Sequence, residues 1–173
     1  YYKPSKNSYK IVGDWDFKLI KGGPDTDFSK KTHRLTSWTQ WGKKMETFSG
    51  TAQYEIKFNR PTEHNGDWLL ELGDVRESAK IWLNDKFIGT LWSNPYQLNI
   101  KSLKKGKNTL RIQVTNTGAN RIKAKEARGE EWKTFYDINM VGLDYKPFDT
   151  SKWELMNAGL LDDPKLIPLE ISK

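Results

Sequence analysis

Alternation of apolar and polar residues across positions 48–116 is the feature that most constrains how this chain can fold. Every second residue is apolar in 53–58, and the same period of two returns in 110–114. Turn-forming residues close each of these short runs. The pattern is typical of half-buried antiparallel strands, because successive side chains of a strand point to opposite faces of the sheet.

The remaining alternating runs predict an all-β chain. Further strands are expected at residues 12–21, 68–72, 79–83, 98–100 and 166–171. Pro164 and Pro168 place the last strand at a sheet edge, because proline cannot donate a ladder hydrogen bond. At least seven short strands favour an antiparallel β-sandwich, which we expect to be a single domain over residues 1–173 with its core at about 12–171.

Two segments lack the alternation. Residues 25–47 are polar and irregular, and residues 117–152 show only weak periodicity. We expect a short helix around residues 124–135, although Gly129 disfavours it. Connections of this length are uncommon inside compact domains and are often functional.

A tight hairpin is predicted at Asn84-Asp85, two residues that tolerate positive φ. This turn would place Leu83 opposite Lys86, Ile81 opposite Ile88, and Trp82 opposite Phe87. Trp82 and Phe87 would then form an aromatic pair on the face that points away from the core. Either another part of the chain covers this pair, or it is a contact surface for a neighbouring domain.

Composition limits the class of protein. The chain has no cysteine, which excludes disulfides and thiolate metal ligands, and no run approaches the roughly 18 apolar residues of a membrane span. It begins at Tyr1 without a signal-peptide pattern, so we expect a processed product or a part of a longer protein. The net charge of +7 is compatible with an anionic partner but is interpreted as a lysine-rich solvated surface.

A series of short motifs runs through the chain in a fixed order. They are Gly13-Asp14-Trp15, Leu35-Thr36-Ser37-Trp38, Phe48-Ser49-Gly50-Thr51-Ala52-Gln53-Tyr54, Leu72-Gly73-Asp74-Val75, Ala79-Lys80-Ile81-Trp82-Leu83-Asn84, Ile88-Gly89-Thr90-Leu91-Trp92, Pro95-Tyr96, Gly106-Lys107-Asn108, Thr115-Asn116, Asn120-Arg121 and Ala158-Gly159-Leu160-Leu161. Over about residues 12–170 the chain thereby resembles the galactose-binding-like jelly-roll domain of glycoside hydrolase family 2. It is most similar to the version at the C-terminal end of family 106 α-L-rhamnosidases. It departs from the family pattern at Asn84-Asp85, where Asn-Gly is frequent, and at Asp162-Asp163-Pro164, where Gly-Pro-Val is common.

The resemblance implies a galactose-binding-like jelly roll that serves a larger glycoside hydrolase, of α-L-rhamnosidase or β-galactosidase-like type. The parent enzyme is expected to be secreted, periplasmic or on the cell surface. In such enzymes the catalytic acids lie in another domain, so we expect this chain to be no enzyme by itself. In family 2 β-galactosidases the loop corresponding to residues 92–96 reaches toward the active site of the neighbouring barrel, and the resemblance implies this role for Asn94.

Carbohydrate contact is the function to which loop aromatics are best suited, because a pyranose ring stacks its apolar C–H face on an indole or phenol ring. The candidate ligand-binding residues are Trp38, Trp41, Trp92, Asn94, Arg121, Trp132 and Tyr136. For Trp92, as for Pro95 and Tyr96, the alternative is packing within the loop. Asn120-Arg121 either holds the loop after a strand or touches sugar. Trp15, Trp68 and Trp153 are expected to be structural.

Other chemistries are disfavoured. Glu126, Glu130 and Glu131 form the only dense acidic cluster, but basic residues surround them, and a catalytic carboxylate normally occupies a desolvated pocket. His33 and His64 lack a partner at zinc-ligand spacing. A structural calcium ion occurs in many galactose-binding-like domains, but no compact acidic ligand string is present, so we predict no metal and no cofactor.

Partners follow from these observations. Lysines near residues 101–107 and basic residues near 121–128 could contact phosphates, but no DNA- or RNA-binding motif accompanies them, so no nucleic acid is predicted. No membrane is predicted either.

Three hypotheses remain: a module that binds plant or algal polysaccharide, a structural domain that packs on a catalytic domain through Trp82 and Phe87, and a hydrolase in its own right.

Overall fold

A computed structural model describes residues 1–101, 103–134, 146 and 148–171. Within that part of the chain there are thirteen strands, a 3-10 helix at Trp38–Trp41 and two α-helices, α1 (Lys43–Glu46) and α2 (Ala119–Ala127). The strands are β1 (Tyr2–Pro4), β2 (Tyr9–Lys10), β3 (Trp15–Gly23), β4 (Ser29–Thr32), β5 (Ser49–Asn59), β6 (Trp68–Glu71), β7 (Val75–Arg76), β8 (Ser78–Leu83), β9 (Lys86–Leu91), β10 (Gln97–Ile100), β11 (Lys107–Thr115), β12 (Gly159–Leu160) and β13 (Lys165–Ile171). The prediction of a mostly β chain is confirmed.

Two antiparallel sheets form the sandwich. One has six strands in the order β4-β3-β5-β11-β8-β9, and the other has the order β1-β13-β6-β10 with β2 also paired to β13. A two-stranded sheet of β7 and β12 lies apart from both. The architecture is consistent with the expected galactose-binding-like jelly roll. No helix in the described residues is long and apolar enough to cross a membrane.

Strict alternation places one face of each strand in the core. In the central strands β5 and β11, Tyr54 and Ile112 lie opposite each other and are fully buried, while Gln53 and Gln113 share a hydrogen bond of 3.0 Å on the outer face. Trp68, predicted to be structural, is fully buried in the opposing sheet. Burial of this apolar area is the main stabilising contribution to the fold.

The hairpin between β8 and β9 confirms the predicted turn. Asn84 and Asp85 have φ angles of 50° and 65°, and Trp82 lies opposite Phe87 with ring centroids 5.3 Å apart. The prediction that Ile81 lies opposite Ile88 is wrong, since Ile81 pairs with Gly89 across a register shift. An extra residue in one strand of a hairpin is a β-bulge, which alternation alone does not reveal.

The prolines predicted that the last strand, β13, lies at a sheet edge, and this prediction is wrong. It pairs with β6 on one side and with the short strands β1 and β2 on the other. Pro168 is tolerated because β2 pairs only with Lys165 and Leu166, while β1 begins pairing at Leu169. The carbonyl of Pro168 still accepts a hydrogen bond of 2.8 Å from the Ser5 N–H, so the residue stays attached to the chain just after β1 although it has no N–H to donate.

The helix expected around residues 124–135 lies earlier in the chain. Helix α2 spans Ala119–Ala127, and Gly129 follows it at a φ of +64°. Glycine adopts this left-handed conformation without steric cost and commonly follows the last turn of a helix.

The two turns at the hairpin end of the sandwich are linked through a buried side chain. Asn108 is 1% exposed, and its Oδ1 accepts hydrogen bonds from Asn84 Nδ2 (2.9 Å) and from the Lys104 backbone N–H (3.1 Å). Its Nδ2 donates to the carbonyls of Lys104 and Gly106. Asn108 thus holds the β8–β9 turn and the 104–106 turn in one fixed arrangement.

We expect Asn108→Ala to lower the free energy of unfolding by about 2 kcal/mol, because it leaves buried donors and acceptors without partners. Urea denaturation measures this change. The control is Asn99→Ala, since Asn99 is exposed and its side chain has no hydrogen bond among the described residues. Its expected change is within about 0.5 kcal/mol. Equal effects in both variants would contradict the role of Asn108.

Candidate functional site

Irregular segments gather at the end of the sandwich opposite the β8–β9 turn. We call this the loop end, and it comprises residues 72–77, 92–96 and 116–121. Strands β6, β9 and β11 each finish here, and β7 and β12 pair beside them. Asn116 supports the arrangement, because its side chain bonds to the backbone of Gly50 (2.9 Å) and Phe48 (3.0 Å).

An open groove of about 550 Å³ lies at the loop end. It is lined by Glu71, Gly73, Asp74, Val75, Arg76, Glu77, Asn94, Pro95, Tyr96 and Gln97. We refer to it as the loop-end groove. It combines acidic, basic and amide side chains from two neighbouring segments of the chain.

Internal contacts use several of the charged groups in the groove. Arg76 makes a two-point contact with Asp74, with Nη2 to Oδ2 at 2.8 Å and Nε to Oδ1 at 2.6 Å, and the carboxylate raises the pKa of Arg76. Glu71 accepts a bond of 2.7 Å from Gln97 and lies 3.6 Å from Lys165 Nζ. These side chains are therefore held in place rather than free to move toward a ligand.

Tyr96 fixes the loop that carries Asn94. Its hydroxyl donates to the backbone carbonyl of Glu77 at 2.5 Å, and burial raises its pKa. Tyr96 thus packs within the loop, which is the alternative that the sequence left open for it. The Asn94 amide is exposed, and neither it nor the Glu77 carboxylate has a hydrogen bond or ion pair within the described part of the chain. These two groups can donate to and accept from a ligand hydroxyl.

Trp92 is the most exposed of the aromatic candidates that the structure describes. Its side chain is 77% exposed, in the same loop segment as Asn94 and directly after β9. An indole in that position offers a flat apolar face to any molecule that approaches the loop end. The alternative, in which Trp92 packs within the loop, does not fit this exposure.

The structure removes Trp38 from the candidate ligand-binding residues. Trp38 is 0% exposed, and its ring packs against Phe17 and Phe48. Its assignment as a sugar-stacking residue is corrected for this reason, since it has no surface to present. The irregular sequence around it concealed that the 3-10 helix turns the ring into the core.

Trp41 is largely occupied by contacts within the protein. Its ring stacks on Phe28 with centroids 6.4 Å apart, meets Phe17 edge-on at 4.8 Å, and has Lys30 Nζ 5.0 Å from its centroid. Its Nε1 donates to Thr36. Little of the ring remains for a ligand.

Of the pair Asn120-Arg121, Asn120 fits the alternative in which the pair holds the loop after a strand. Asn120 is 5% exposed, donates to the Met156 carbonyl (2.7 Å) and accepts from the Met156 N–H (2.8 Å), so it holds the chain together. Arg121 lies on α2 against Gly23, where an added Cβ would be 2.1 Å from Nη1. The guanidinium depends on the absence of a side chain at Gly23.

Trp132 lies beyond α2 in a separate cluster. Its Nε1 donates to Glu126 (2.6 Å), whose carboxylate also meets Lys133 at 3.1 Å, and these contacts lower the pKa of Glu126. The Trp132 ring packs edge-on against Phe148 at 5.5 Å. Trp153, predicted to be structural, also packs on Phe148 but remains 37% exposed. Tyr136 lies outside the described residues.

The two histidines lie apart. His33 contacts Asp14, and His64 bonds to the Asp67 carbonyl (2.9 Å) beside Trp68. Across the residues that the structure describes, no three His, Cys, Asp or Glu side chains come close enough together to hold a metal ion.

Sequence reasoning missed Asp74, Arg76 and Glu77 as groove residues. The available signal was the three charged residues Asp74, Arg76 and Glu77, which begin three residues after a buried strand ends. It also missed the role of Asp162, a departure from the family pattern, whose carboxylate accepts a bond of 3.0 Å from the Asp74 N–H. Asp162 thereby links the closing segment of the chain to the groove.

Comparison with known proteins gives a family match. Residues 42–149 match the family described as "Glycosyl hydrolase 2 galactose-binding domain-like". A curated protein of Formosa agariphila, named "Putative beta-glucuronidase", is 36% identical over 117 residues. That alignment covers 65% of this chain and 10% of the relative.

Solved structures agree with this match. A rhamnosidase from Novosphingobium sp. PP1Y is similar over 96% of this chain and 16% of its own length, with a TM-score of 0.71 and 26% identity. A β-glucuronidase from Bifidobacterium dentium, complexed with coumarin-3-O-glucuronide, covers 95% of this chain and 30% of its own, with a TM-score of 0.62. At 15% identity that second likeness shows the fold alone. The chain spans less than a third of each of these proteins.

Proposed function

We propose that this chain, which belongs to the glycosyl hydrolase 2 galactose-binding-like domain family, is a non-catalytic accessory module that contacts carbohydrate at its loop end. The observation that carries the proposal is the exposure of Trp92, 77%, in the segment that also places Asn94 in the loop-end groove. An indole face suits the C–H face of a sugar, and an amide and a carboxylate suit its hydroxyls. Sugar-binding sites commonly combine these elements.

We further propose that the module serves a secreted, periplasmic or cell-surface glycoside hydrolase that acts on plant or algal polysaccharide. The similarity to a rhamnosidase and to a protein named as a glucuronidase, each several times longer than this chain, supports a larger parent enzyme. An α-L-rhamnosidase or a β-galactosidase-like enzyme is the expected type. In that parent the loop end would face the active site, with Asn94 directed toward it.

Isothermal titration of the chain against a panel of neutral plant and algal polysaccharides tests the proposal. We expect weak binding to at least one glycan, because an open groove and a single exposed indole bury little area. No heat of binding with any member of the panel would overturn the carbohydrate role.

The chain is also expected to release no reducing sugar from these polysaccharides. Two of the three described groove carboxylates, Asp74 and Glu71, are held by Arg76 and by Gln97 and Lys165. Among the described residues, Glu77 is then the one unengaged carboxylate of the groove, and glycoside hydrolysis requires a pair. A reducing-sugar assay at high protein concentration measures this. Release that survives repurification would establish the enzymatic alternative.

A second candidate function is purely structural. Phe87 is 50% exposed beside Trp82 on the outer face of the six-stranded sheet, which favours docking of this face on a catalytic domain. In the longer protein, Trp82→Ser with Phe87→Ser is then expected to expose the linker between the domains to proteolysis. Unchanged cleavage would argue against docking through this pair.

A further inference from the structure

The end of the sandwich opposite the loop end has a cleft of about 520 Å³ with a different chemistry. It lies between the β8–β9 hairpin and the segment that follows β10. Strands β9 and β10 are edge strands of different sheets, so the cleft opens where the two layers of the sandwich separate. We call it the hairpin-end cleft.

Three lysines surround this cleft. Lys86 begins β9, Lys101 directly follows β10, and Lys104 belongs to the adjacent turn. All three are exposed, and none has an ion pair within the described residues. Asp85, the acidic neighbour of Lys86, is already engaged, since it accepts a bond of 2.7 Å from Arg111. The positive charge of the cleft is therefore not neutralised locally.

The backbone that carries these lysines is fixed. Asn108, 1% exposed, bonds to Asn84 in the hairpin turn and to Lys104 in the neighbouring turn. Leu103, next to Lys104, is 4% exposed and packs in the core. Ligand binding would therefore need to order only the lysine side chains, which lowers its entropic cost.

The rest of the cleft suits a sugar rather than a simple anion. Ile100, 4% exposed, and the partly buried Ile88 form an apolar floor, and Phe87 contributes to the wall. The exposed Asn99 amide has no hydrogen-bond partner in the described part of the chain. The C–H groups of a sugar ring can pack on the apolar floor, and its hydroxyls can exchange hydrogen bonds with the amide. The lysine ammonium groups can pair with acidic substituents of the sugar.

We propose that the hairpin-end cleft binds a segment of acidic polysaccharide, with Lys86, Lys101 and Lys104 contacting its carboxylate or sulfate groups. This site is separate from the loop-end groove, because β9 carries Lys86 at one end and Trp92 follows the other. The two sites would let one module hold a charged polymer at a distance from the parent active site. The proposal does not depend on carbohydrate contact by Trp92.

Affinity measurements with defined polymers test the proposal. The chain is titrated with polygalacturonate and with dextran sulfate, and the neutral controls are methyl-esterified polygalacturonate and dextran. We expect binding to at least one acidic polymer, weaker with rising salt, and none to the matched neutral polymer. Preference for polygalacturonate would identify carboxylates as the ligand groups, and preference for dextran sulfate would identify sulfates.

Charge-matched variants locate the site. The triple change Lys86→Gln, Lys101→Gln and Lys104→Gln is expected to weaken acidic-polymer binding about tenfold. The control changes Lys3, Lys6 and Lys18 to Gln, which removes the same charge at exposed positions outside the cleft lining, and is expected to cost less than about twofold. Urea unfolding of both variants should match that of the unmutated chain, since exposed lysines contribute little to stability.

Several outcomes would overturn the proposal. Absence of binding to both acidic polymers, equal losses in the two triple variants, or equal binding of neutral and acidic polymers would each do so. Tighter binding of duplex DNA than of either polysaccharide would also overturn it, in favour of nucleic acid. Trp92→Ala should leave acidic-polymer binding unchanged, which separates this result from failure of the loop-end site.

Discussion

Replacing Trp38 with alanine is expected to lower the free energy of unfolding by about 3–5 kcal/mol, the range for deleting a large buried aromatic side chain. Trp38 is 0% exposed and packs against Phe17 and Phe48. Gly159 approaches so closely that an added Cβ would lie 3.0 Å from the Trp38 ring. Because domains of this kind are stabilised by only about 5–15 kcal/mol, this change is a large fraction of the total.

The adjoining hydrogen bonds would weaken together with the core. The backbone N–H of Trp38 donates to the Ala158 carbonyl (3.0 Å), and the backbone N–H of Ala158 donates to Ser37 Oγ (2.9 Å). These bonds connect the 3-10 helix to β12, so the loss extends to the segment behind the loop-end groove. Urea denaturation measures the change, with Trp92→Ala as control. Equal stability of the two variants would contradict the buried placement of Trp38.

Replacing Trp92 with alanine is expected to reduce binding of the best neutral glycan by about 30-fold, the loss typical when a dominant aromatic contact is removed. The same variant should unfold within about 0.5 kcal/mol of the unmutated chain, because the side chain is 77% exposed. Trp92→Phe should retain most of the affinity, since a phenyl ring still offers a flat apolar face. Isothermal titration measures the two affinities, and urea denaturation measures the free energy of unfolding.

Phe87→Ala is the matched control for this experiment. Phe87 is also an exposed aromatic, at 50%, but it lies at the other end of β9. Neutral-glycan binding should be unaffected by its removal. Equal losses for Trp92→Ala and Phe87→Ala would indicate nonspecific adhesion of exposed aromatic rings, not a site at the loop end.

Most of the fold could be predicted because alternation reports directly on which face of a strand is buried. Tyr54 and Ile112, for example, alternate with polar residues and are fully buried. The family resemblance, carried by ordered motifs, is confirmed by the match of residues 42–149. The register error at Ile88 and the edge assignment of β13 arose because bulges and strand neighbours depend on contacts distant in sequence.

The candidate site was harder to predict than the fold. Sequence placed Trp38 and Trp92 together as loop aromatics, although one is 0% and the other 77% exposed. Trp92 directly follows β9, while Trp38 lies in an irregular segment, but only the packing of the 3-10 helix shows which ring is buried. The Asn108 network was missed because its partners are identified by three-dimensional contacts, not by spacing. The Arg76–Asp74 pair was missed although its two residues lie close together in the sequence.

The central claim, that the loop end is the carbohydrate contact surface, is tested most directly by a ¹⁵N-labelled NMR titration with the best neutral oligosaccharide. We expect the largest shifts at the Trp92 indole N–H and at the backbone amides of residues 72–77, 93, 94, 96 and 97, with little change at the indoles of Trp38 and Trp41. Shifts concentrated at Trp41 or Trp132, or no shifts with any glycan, would contradict it.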